Sequence, residues 1–361
     1  MATHTAIAAL SKGHLDAIQV ETEHPGVGQV LIEVEYASMI AFDTYITDLG
    51  YAVAEYPAIL GFNAAGTVAE AGKGVSTLGV GDRVMGFSVF NFQGKNKGTL
   101  QEFILLPEEL CAKVPDNLSL DSAATIPDNF VTAFYTLFDH LSLPIPNAFP
   151  APSRPADHAT PILIYGAGST ASQYALQLLQ AAGYTNVVAA ASPRHNDFLK
   201  SIGASAVDYA SPTFAADVAR AVGGDGKVAL ALDGITADGT MARIAEVLKP
   251  TGTVALLLPI KTGDTVAVGE AGMRSEVDPA RNPFAEETQI KYVRTFIYRS
   301  NEFLRANLMP KILPELLAAG VIQPNRVRLL DQGTLKERVE AGLDLLRNNK
   351  VSGEKVIVKV A

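Results

Sequence analysis

The chain has 361 residues, 48% of them hydrophobic and 19% charged, which excludes a disordered protein and leaves room for two domains with hydrophobic cores. Its 38 acidic and 29 basic residues give a net charge of −9, which argues against nucleic-acid binding. The single cysteine, Cys111, excludes internal disulfides and cysteine-rich zinc modules, and with no signal peptide or membrane-spanning run in the pattern we expect a cytoplasmic protein.

The first third of the chain is predicted to be mostly β. Residues 29–36 (QVLIEVEY) alternate apolar and polar side chains, as a half-buried strand does. Turns and bulges are indicated by glycines at Gly61, Gly66, Gly72, Gly74, Gly79 and Gly81. We therefore expect a barrel-like unit, followed between residues 140 and 161 by an extended surface segment that carries six prolines.

From residue 162 the pattern alternates between strands and helices. The predicted strands are almost continuously apolar, which is typical of a parallel sheet covered by helices on both faces, and span 162–165, 186–191, 206–209, 228–233, 253–259 and 291–299. The predicted helices between them span 171–182, 195–203, 214–222 and 237–249. Beyond the last strand we predict helices at 303–319 and 335–347, and a strand at 354–360 that rejoins the first unit.

The strongest local motif is a glycine-rich turn, YGAGSTA, between the first of these strands and its helix. Gly166 and Gly168 allow a tight turn and the close approach of a pyrophosphate, and the small Ala171 allows the helix to pack on the strand. A helix N terminus then favours the anion. The motif predicts a dinucleotide site made by Gly166, Gly168, Ser169, Thr170 and Ala171, and the alternative is a βα turn without a ligand.

The end of the second strand favours NADPH over NADH. A site selective for NAD places an acidic residue about 20 residues after the glycines, where it binds the ribose hydroxyl. Here a hydroxyl, a guanidinium and an imidazole follow the strand, at Ser192, Arg194 and His195, and such a site tolerates a 2′-phosphate. Tyr209 ends the third strand and is a further candidate for this phosphate. The alternatives are a solvated Arg194 and a Tyr209 that is partly buried in the core.

Segments along the whole chain resemble the medium-chain dehydrogenase/reductase superfamily, among them PAILGFNAAGTVAEAG (57–72) and GVGDRVMGF (79–87). IYGAGSTASQYALQLLQAAGY (164–184), ASPRHNDFLKSIGASAVDY (191–209) and VSGEKVIVKV (351–360) are similar to its zinc-free fungal branch of trans-acting enoyl reductases. Quinone oxidoreductases are also similar. The resemblance implies an α/β fold: a discontinuous, mostly-β GroES-like catalytic domain over 1–127 and 300–361, and a Rossmann NADPH-binding domain with a doubly wound parallel sheet over 128–299.

Zinc-dependent members of this superfamily hold a catalytic metal at positions that read Ile40, Phe62 and Asp128 in this chain. Two apolar side chains cannot bind zinc and one carboxylate is insufficient, so we expect no metal. Without a Lewis acid, the chemistry that fits best is the NADPH-dependent reduction of an activated C=C bond, in an enoyl thioester or an enone.

The resemblance also implies roles for further residues. Tyr51 and Tyr45 stand where related reductases carry tyrosines, and a phenol that is protonated at neutral pH can donate to an enolate oxygen; packing is the alternative. Thr132, with Asn129 nearby, matches a contact to the nicotinamide. Leu257 and Leu258 match the wall of the nicotinamide pocket or pack in the core. Lys355 matches a contact to the cofactor phosphate or is a surface charge. The six histidines are expected at the surface, and Cys111 is expected to be structural.

Two other functions remain open at this point: a quinone or alkenal oxidoreductase, and a non-catalytic NADPH-binding or carrier-docking protein. The expected partners are a small molecule or an acyl thioester, free or on an acyl carrier protein, with no nucleic acid and no membrane. Residues 291–311 carry five basic side chains and one acidic one. This stretch is either a docking patch for an acidic carrier or a solvated helix face.

Overall fold

A computed structural model of the chain describes residues 2–89, 98–263 and 272–361. The chain forms two compact units, Met1–Asp128 with Phe296–Ala361 (the first unit) and Asn129–Thr295 (the second unit). The sequence-based boundaries lie after residues 127 and 299, whereas the chain passes between the units after Asp128 and after Thr295. Within the described ranges, no helix is both long enough and apolar enough to cross a membrane.

The described residues contain 18 β-strands and ten α-helices, most of them short. The strands are β1 (Thr3–Ser11), β2 (His14–Glu21), β3 (Gln29–Met39), β4 (Ala58–Ile59), β5 (Asn63–Ala71), β6 (Arg83–Phe87), β7 (Phe103–Pro107), β8 (Cys111–Lys113), β9 (Ile162–Tyr165), β10 (Val187–Ala191), β11 (Ser205–Asp208), β12 (Val228–Asp233), β13 (Leu248–Leu257), β14 (Ile260–Lys261), β15 (Met273–Arg274), β16 (Gln289–Val293), β17 (Arg326–Leu330) and β18 (Glu354–Lys359). The α-helices are α1 (Ala41–Thr44), α2 (Leu120–Ala123), α3 (Pro127–Phe134), α4 (Thr170–Ala181), α5 (Asn196–Ser201), α6 (Phe214–Val222), α7 (Asp238–Val247), α8 (Glu302–Asn307), α9 (Leu313–Ala318) and α10 (Leu335–Arg347).

The first unit is built on antiparallel β-structure, as the alternating pattern of its sequence predicts. Its larger sheet has the order β17-β18-β3-β5-β6-β8, with β7 also paired to β3, and a smaller sheet has the order β2-β1-β4. The C-terminal strand β18 pairs with β3, with Val356 opposite Met39. The end of the chain therefore rejoins the N-terminal region, as predicted.

The second unit contains a six-stranded parallel sheet in the order β11-β10-β9-β12-β13-β16. Counted from β9, this is the 3-2-1-4-5-6 order of a Rossmann fold, in which the order of the parallel strands reverses between β9 and β12. Every residue of β9 and β10 is buried, because helices cover both faces of such a sheet. Ligands of such folds bind at the carboxyl ends of the strands beside this reversal.

Several predicted elements differ from the structure in their bounds. The predicted helix 237–249 ends at Val247, and the predicted strand 253–259 begins earlier, at Leu248. The predicted strand 291–299 ends at Val293, because its partner β13 ends at Leu257, opposite Val293, and an unpaired strand has no ladder to continue. Residues Thr295–Ser300 form 3₁₀ turns instead. The predicted helix 303–319 is interrupted by a π-helical turn, Leu308–Ile312, because Pro310 lacks the amide hydrogen that an α-helix requires.

Residues 141–161 contain neither helix nor strand, as their prolines predict. Most of their side chains are partly or fully exposed, whereas Leu141 and Leu143 are buried. This segment therefore lies at the surface of the second unit, and the leucines near its start are buried in the core.

Candidate functional site

The glycine-rich turn lies between β9 and α4, at the point where the strand order of the second unit reverses. Gly166 has a φ of +70°, and a Cβ at this position would lie 2.6 Å from the Ile235 side chain. A Cβ at Gly168 would lie 2.6 Å from two ring atoms of His195. Both positions therefore require glycine, because the turn is held between two side chains.

Helix α4 begins directly after this turn. The Ser169 hydroxyl caps the helix and accepts a hydrogen bond from the Ser172 amide at 3.3 Å. Thr170 and Ala171 lie in the first turn of the 12-residue helix, whose amide groups point towards its N terminus. The positive end of the helix dipole and the glycine backbone fit the pyrophosphate of a dinucleotide.

The other predicted cofactor residues of the second unit lie at the same edge of the sheet. Ser192 follows β10, and the exposed Arg194 comes two residues later. Tyr209 follows β11 and is 44% exposed, and its ring packs edge-on against that of the buried Tyr165, with centroids 6.5 Å apart. Leu257 and Leu258, at the end of β13, are both half-buried.

The loop after β12 is a feature of this edge that the sequence reasoning missed. Asp233 is fully buried; one of its carboxylate oxygens accepts hydrogen bonds from the Ile235 and Thr236 amides at 3.0 and 2.8 Å, and the other accepts one from the Thr240 hydroxyl at 2.5 Å. Burial raises the pKa of this carboxyl, although its hydrogen bonds oppose the rise. Asp233 thus orders the loop that places Ile235 against Gly166. The sequence feature that could have indicated this loop is the aspartate at the end of an otherwise apolar strand, VALALD.

Thr132 lies on α3 in the second unit. Its hydroxyl is 2.9 Å from the hydroxyl of Thr295, and its side chain is half-buried. Asn129, one turn earlier, is 8% exposed. The predicted contact of Thr132 with a nicotinamide remains a prediction.

The first unit brings Tyr45 and Tyr51 together around one phenylalanine. Helix α1 continues into a π-helical turn, Tyr45–Leu49, and the Tyr51 amide donates to the Tyr45 carbonyl at 3.0 Å. The Phe42 ring centroid lies 5.7 Å from that of Tyr45 and 5.5 Å from that of Tyr51. Tyr45 is 4% exposed, and burial raises the pKa of its phenol, whereas Tyr51 is half-buried. Tyr51 is therefore the more accessible of the two phenols.

The positions that carry metal ligands in zinc-dependent relatives do not fit zinc. The fully buried Phe62 stacks on Phe296, with centroids 5.5 Å apart. Both oxygens of Asp128 accept hydrogen bonds from the Lys355 ammonium, at 2.8 and 2.9 Å. The remaining donor set is therefore one carboxylate that is already paired with a cation. Nowhere in residues 2–89, 98–263 and 272–361 do three or more His, Cys, Asp or Glu side chains form a group that could hold a metal.

Lys355 is a correction to the sequence reasoning. Its side chain is 2% exposed and lies in the first unit, so it is not a surface charge. An ammonium with two bonds to a buried carboxylate has its charge already compensated. This position does not fit the predicted contact with a cofactor phosphate.

The histidines and the basic stretch also differ from expectation. His4 and His195 are buried, at 4% and 8% exposure, because their rings pack against neighbouring segments. In the basic stretch, Arg299 and Arg305 both lie within ion-pair distance of Glu109, so a carboxylate from outside the stretch partly compensates their charge. Cys111 is 1% exposed, and burial raises the pKa of its thiol, which agrees with a structural role.

Comparisons with known proteins agree with this architecture. Residues 26–116 match the alcohol dehydrogenase GroES-like domain. The trans-enoyl reductase tndF of Aspergillus flavipes is 32% identical over 363 aligned residues, which cover 98% of this chain and 97% of the relative.

Two solved structures show the same fold over 99% of the chain. The CurK enoyl reductase superposes with a TM-score of 0.75 at 21% identity, and 99% of its chain is covered. The quinone oxidoreductase of Pseudomonas syringae pv. Tomato DC3000 superposes with a TM-score of 0.74 at 21% identity, and 99% of its chain is covered. The predicted fold class, a GroES-like unit with a Rossmann unit, is confirmed, and the chain belongs to the medium-chain dehydrogenase/reductase superfamily, in the family of the fungal trans-enoyl reductases.

Proposed function

We propose that the chain is an NADPH-dependent reductase of activated C=C bonds that works without zinc. The observation that carries this proposal is the glycine turn at Gly166 and Gly168, at the reversal point of a Rossmann sheet. Membership of the trans-enoyl reductase family supports the class of acceptor, an enoyl thioester or enone.

When bound, the reduced nicotinamide supplies the hydride. We assign the pyrophosphate to the glycine turn and the first turn of α4. The exposed cation of Arg194 and the lack of a carboxylate after β10 support a 2′-phosphate at this edge. The proposed cofactor residues are Gly166, Gly168, Ser169, Thr170, Ala171, Ser192, Arg194, Tyr209, Leu257 and Leu258, with Thr132 at the nicotinamide.

The acceptor requires a hydrogen-bond donor at its carbonyl oxygen, where negative charge develops during the reduction. We assign this role to Tyr51, because its phenol is only half-buried and a tyrosine hydroxyl can donate a hydrogen bond. Tyr45 is almost fully buried and supports the same ring cluster through Phe42. The donor set at Ile40, Phe62 and Asp128 supports a reaction without zinc, because it offers one carboxylate that is already ion-paired.

We further propose that a carrier protein presents the acyl group, since an enzyme that acts in trans receives its substrate from another protein. The name of the relative tndF supports this, and residues 291–311 are the candidate contact. Turnover of an enoyl-carrier substrate is compared with that of the same enoyl group on a small thiol. A higher kcat/KM with the carrier supports docking, and equal efficiency contradicts it.

The test of the proposed function is a screen of NADPH and NADH consumption with enoyl thioesters, enones, quinones and alcohols, with and without a chelator. We expect turnover of the C=C acceptors with NADPH, unaffected by the chelator. Turnover of quinones alone would favour a quinone oxidoreductase, as the solved neighbour allows. NADPH binding without any turnover would identify a non-catalytic protein.

A further inference from the structure

The first unit buries three charged side chains close to one another. Asp43, Asp128 and Lys355 are 0%, 6% and 2% exposed. Two carboxylates and one ammonium are therefore withdrawn from water, which is expensive unless each charge is paired or hydrogen-bonded. Neither carboxylate has a place in the proposed reduction as a donor to substrate.

Asp128 and Lys355 belong to a hydrogen-bonded network that joins distant segments. Besides its two bonds to Lys355, the Asp128 carboxylate accepts a bond from the Asn63 side-chain amide at 2.6 Å. The Asn63 amide also donates to the Ser38 hydroxyl at 2.8 Å, and its oxygen accepts from the Asp128 backbone amide at 3.0 Å. The network thus joins β3, β5 and β18 to Asp128, the last residue of the first unit before α3 continues.

Asp43 joins the two ends of the segment that carries the tyrosines. Its carboxylate accepts hydrogen bonds from the Ile40 amide at 2.8 Å and from the Gly61 amide at 2.9 Å. Residues 40–62, the tyrosine segment, are therefore held at both ends by one carboxylate. Burial raises the pKa of Asp43 to about 7, and the charge of Lys355 opposes this rise.

We infer that Lys355 is a positioning residue: its ammonium holds Asp128, which binds Asn63 and through it Ser38, the residues just beyond the two ends of the tyrosine segment. This inference rests on the proposed function, because the segment carries the proposed donor Tyr51. It also adds a reason why the donor set does not fit zinc. The Lys355 ammonium on β18 already binds both oxygens of Asp128, the carboxylate that a metal would need. Such a cation cannot be removed by a chelator.

The test replaces Lys355 with methionine, which keeps the length and removes the charge. The control is Lys359→Met, on the same strand but partly exposed at its end. Misplacement of a donor by about 1 Å costs on the order of 100-fold in rate, so we expect kcat with an enoyl thioester to fall about 10- to 100-fold in Lys355→Met. The affinity for NADPH, measured by fluorescence titration, is expected to stay near that of the wild type, because the glycine turn belongs to the second unit.

Two further variants keep the test decisive if Lys355→Met does not fold. Lys355→Arg retains a cation and is expected to retain more activity than methionine. The double variant Asp128→Asn with Lys355→Met removes both partners, so it is expected to be more stable than Lys355→Met, which leaves a buried charge unpaired. A double variant with wild-type kcat would overturn the inference.

Hydrogen exchange separates this inference from the proposed function. We expect Lys355→Met to increase amide exchange in residues 40–62 and to leave α4 unchanged, whether or not the chain reduces any acceptor. If the wild type reduces nothing but this pattern appears, the proposed function fails while the anchoring of the segment by Lys355 stands. Unchanged exchange in residues 40–62, unchanged kcat, or one tightly bound zinc per wild-type chain would each contradict the role of Lys355.

Discussion

Asp128 in the first unit and Asp233 in the second are both buried carboxylates, and a buried lysine lies near each of them, but their hydrogen-bond partners differ. Asp128 binds the Lys355 ammonium directly. Asp233 accepts hydrogen bonds from two backbone amides and one threonine hydroxyl, and Lys261 acts on it through its charge. An aspartate and a lysine therefore form a direct ion pair in the first unit. In the second unit the aspartate is held by a loop's hydrogen-bond donors, with the lysine nearby.

This difference determines how much each lysine contributes to the free energy of unfolding. Without the Lys355 ammonium, Asp128 keeps its hydrogen bond from the Asn63 side chain but loses two charge-assisted bonds, so its buried charge is left uncompensated. Asp233 without Lys261 keeps its hydrogen bonds from two amides and a hydroxyl. Burial lowers the pKa of Lys261 to about 8, and Asp233 opposes this fall. Lys261 therefore lies close to losing its charge under mildly alkaline conditions.

Replacing each lysine in turn tests whether the two carboxylates depend on their lysines to different degrees. We expect Lys355→Met to lower the free energy of unfolding by about 3–5 kcal/mol, the usual cost of breaking a buried pair. Lys261→Met is expected to cost less than about 1 kcal/mol, because the hydrogen bonds of Asp233 remain and the desolvation of an ammonium is avoided. Urea unfolding at pH 7 measures both values. Equal losses would show that the two lysines are equivalent.

Asp43 provides a test by pH in the first unit. Its folded pKa of about 7 lies above the ordinary value of 3.8, so the folded state binds the proton more tightly and stability falls as pH rises from 3.8 towards 7. This fall is at most about 4 kcal/mol. Asp43→Asn is expected to abolish it, while lowering stability at pH 5 by about 1–3 kcal/mol, because an amide NH₂ would face a backbone donor. Unfolding measured from pH 4 to 8 checks this, and an unchanged slope would contradict it.

Lys261 provides the corresponding test in the second unit, with the opposite sign. Its folded pKa of about 8 lies below the ordinary 10.5, so the folded state releases the proton first and stability rises as pH increases from 8 to 10.5. The gain is at most about 3 kcal/mol. In Lys261→Met this gain should be absent. The measurement is the difference between the unfolding free energies of wild type and variant at pH 7.5 and pH 10, and a constant difference would disprove the titration.

The smallest effect on stability is expected for an exposed charge, Arg194, in contrast to the buried lysines. Arg194→Ala should leave stability unchanged and raise the KM for NADPH about tenfold, equivalent to about 1.4 kcal/mol, through loss of a charge-assisted contact. The KM for NADH should not change, because NADH lacks the 2′-phosphate. Lys200→Ala, an exposed lysine on α5, is the matched control. Equal effects on the two cofactors would remove Arg194 from the phosphate site.

Much of the fold could be predicted because its signals are local. Helices α6 and α10 and strand β12 have the predicted bounds, since the periodicity of side chains along a short segment defines each of them. The glycine turn was found in the same way, from a strand, a turn and a helix in succession. Strand β16 was predicted too long, because its end depends on where its partner β13 ends.

The candidate site could be predicted only in part. The residues after β9, β10, β11 and β13 meet at one edge because parallel strands in one sheet share an edge, which follows from the alternating pattern. Tyr45 and Tyr51 are near each other in the chain, so their meeting around Phe42 also follows from a local turn. Nothing in the sequence pattern around Asp43 or Asn63 indicated a buried polar network.

The two-unit α/β architecture and the glycine-rich turn could be read from the sequence, since each depends on residue types and short-range spacing. The burial and the hydrogen-bond partners of Lys355 and Asp233 become visible only in the folded chain. Lys355 lies 227 positions from Asp128, and whether it meets solvent, a phosphate or a carboxylate depends on which segments pack around it. The state of a charged side chain is set by burial and by its partners, and in this protein both come from remote parts of the chain.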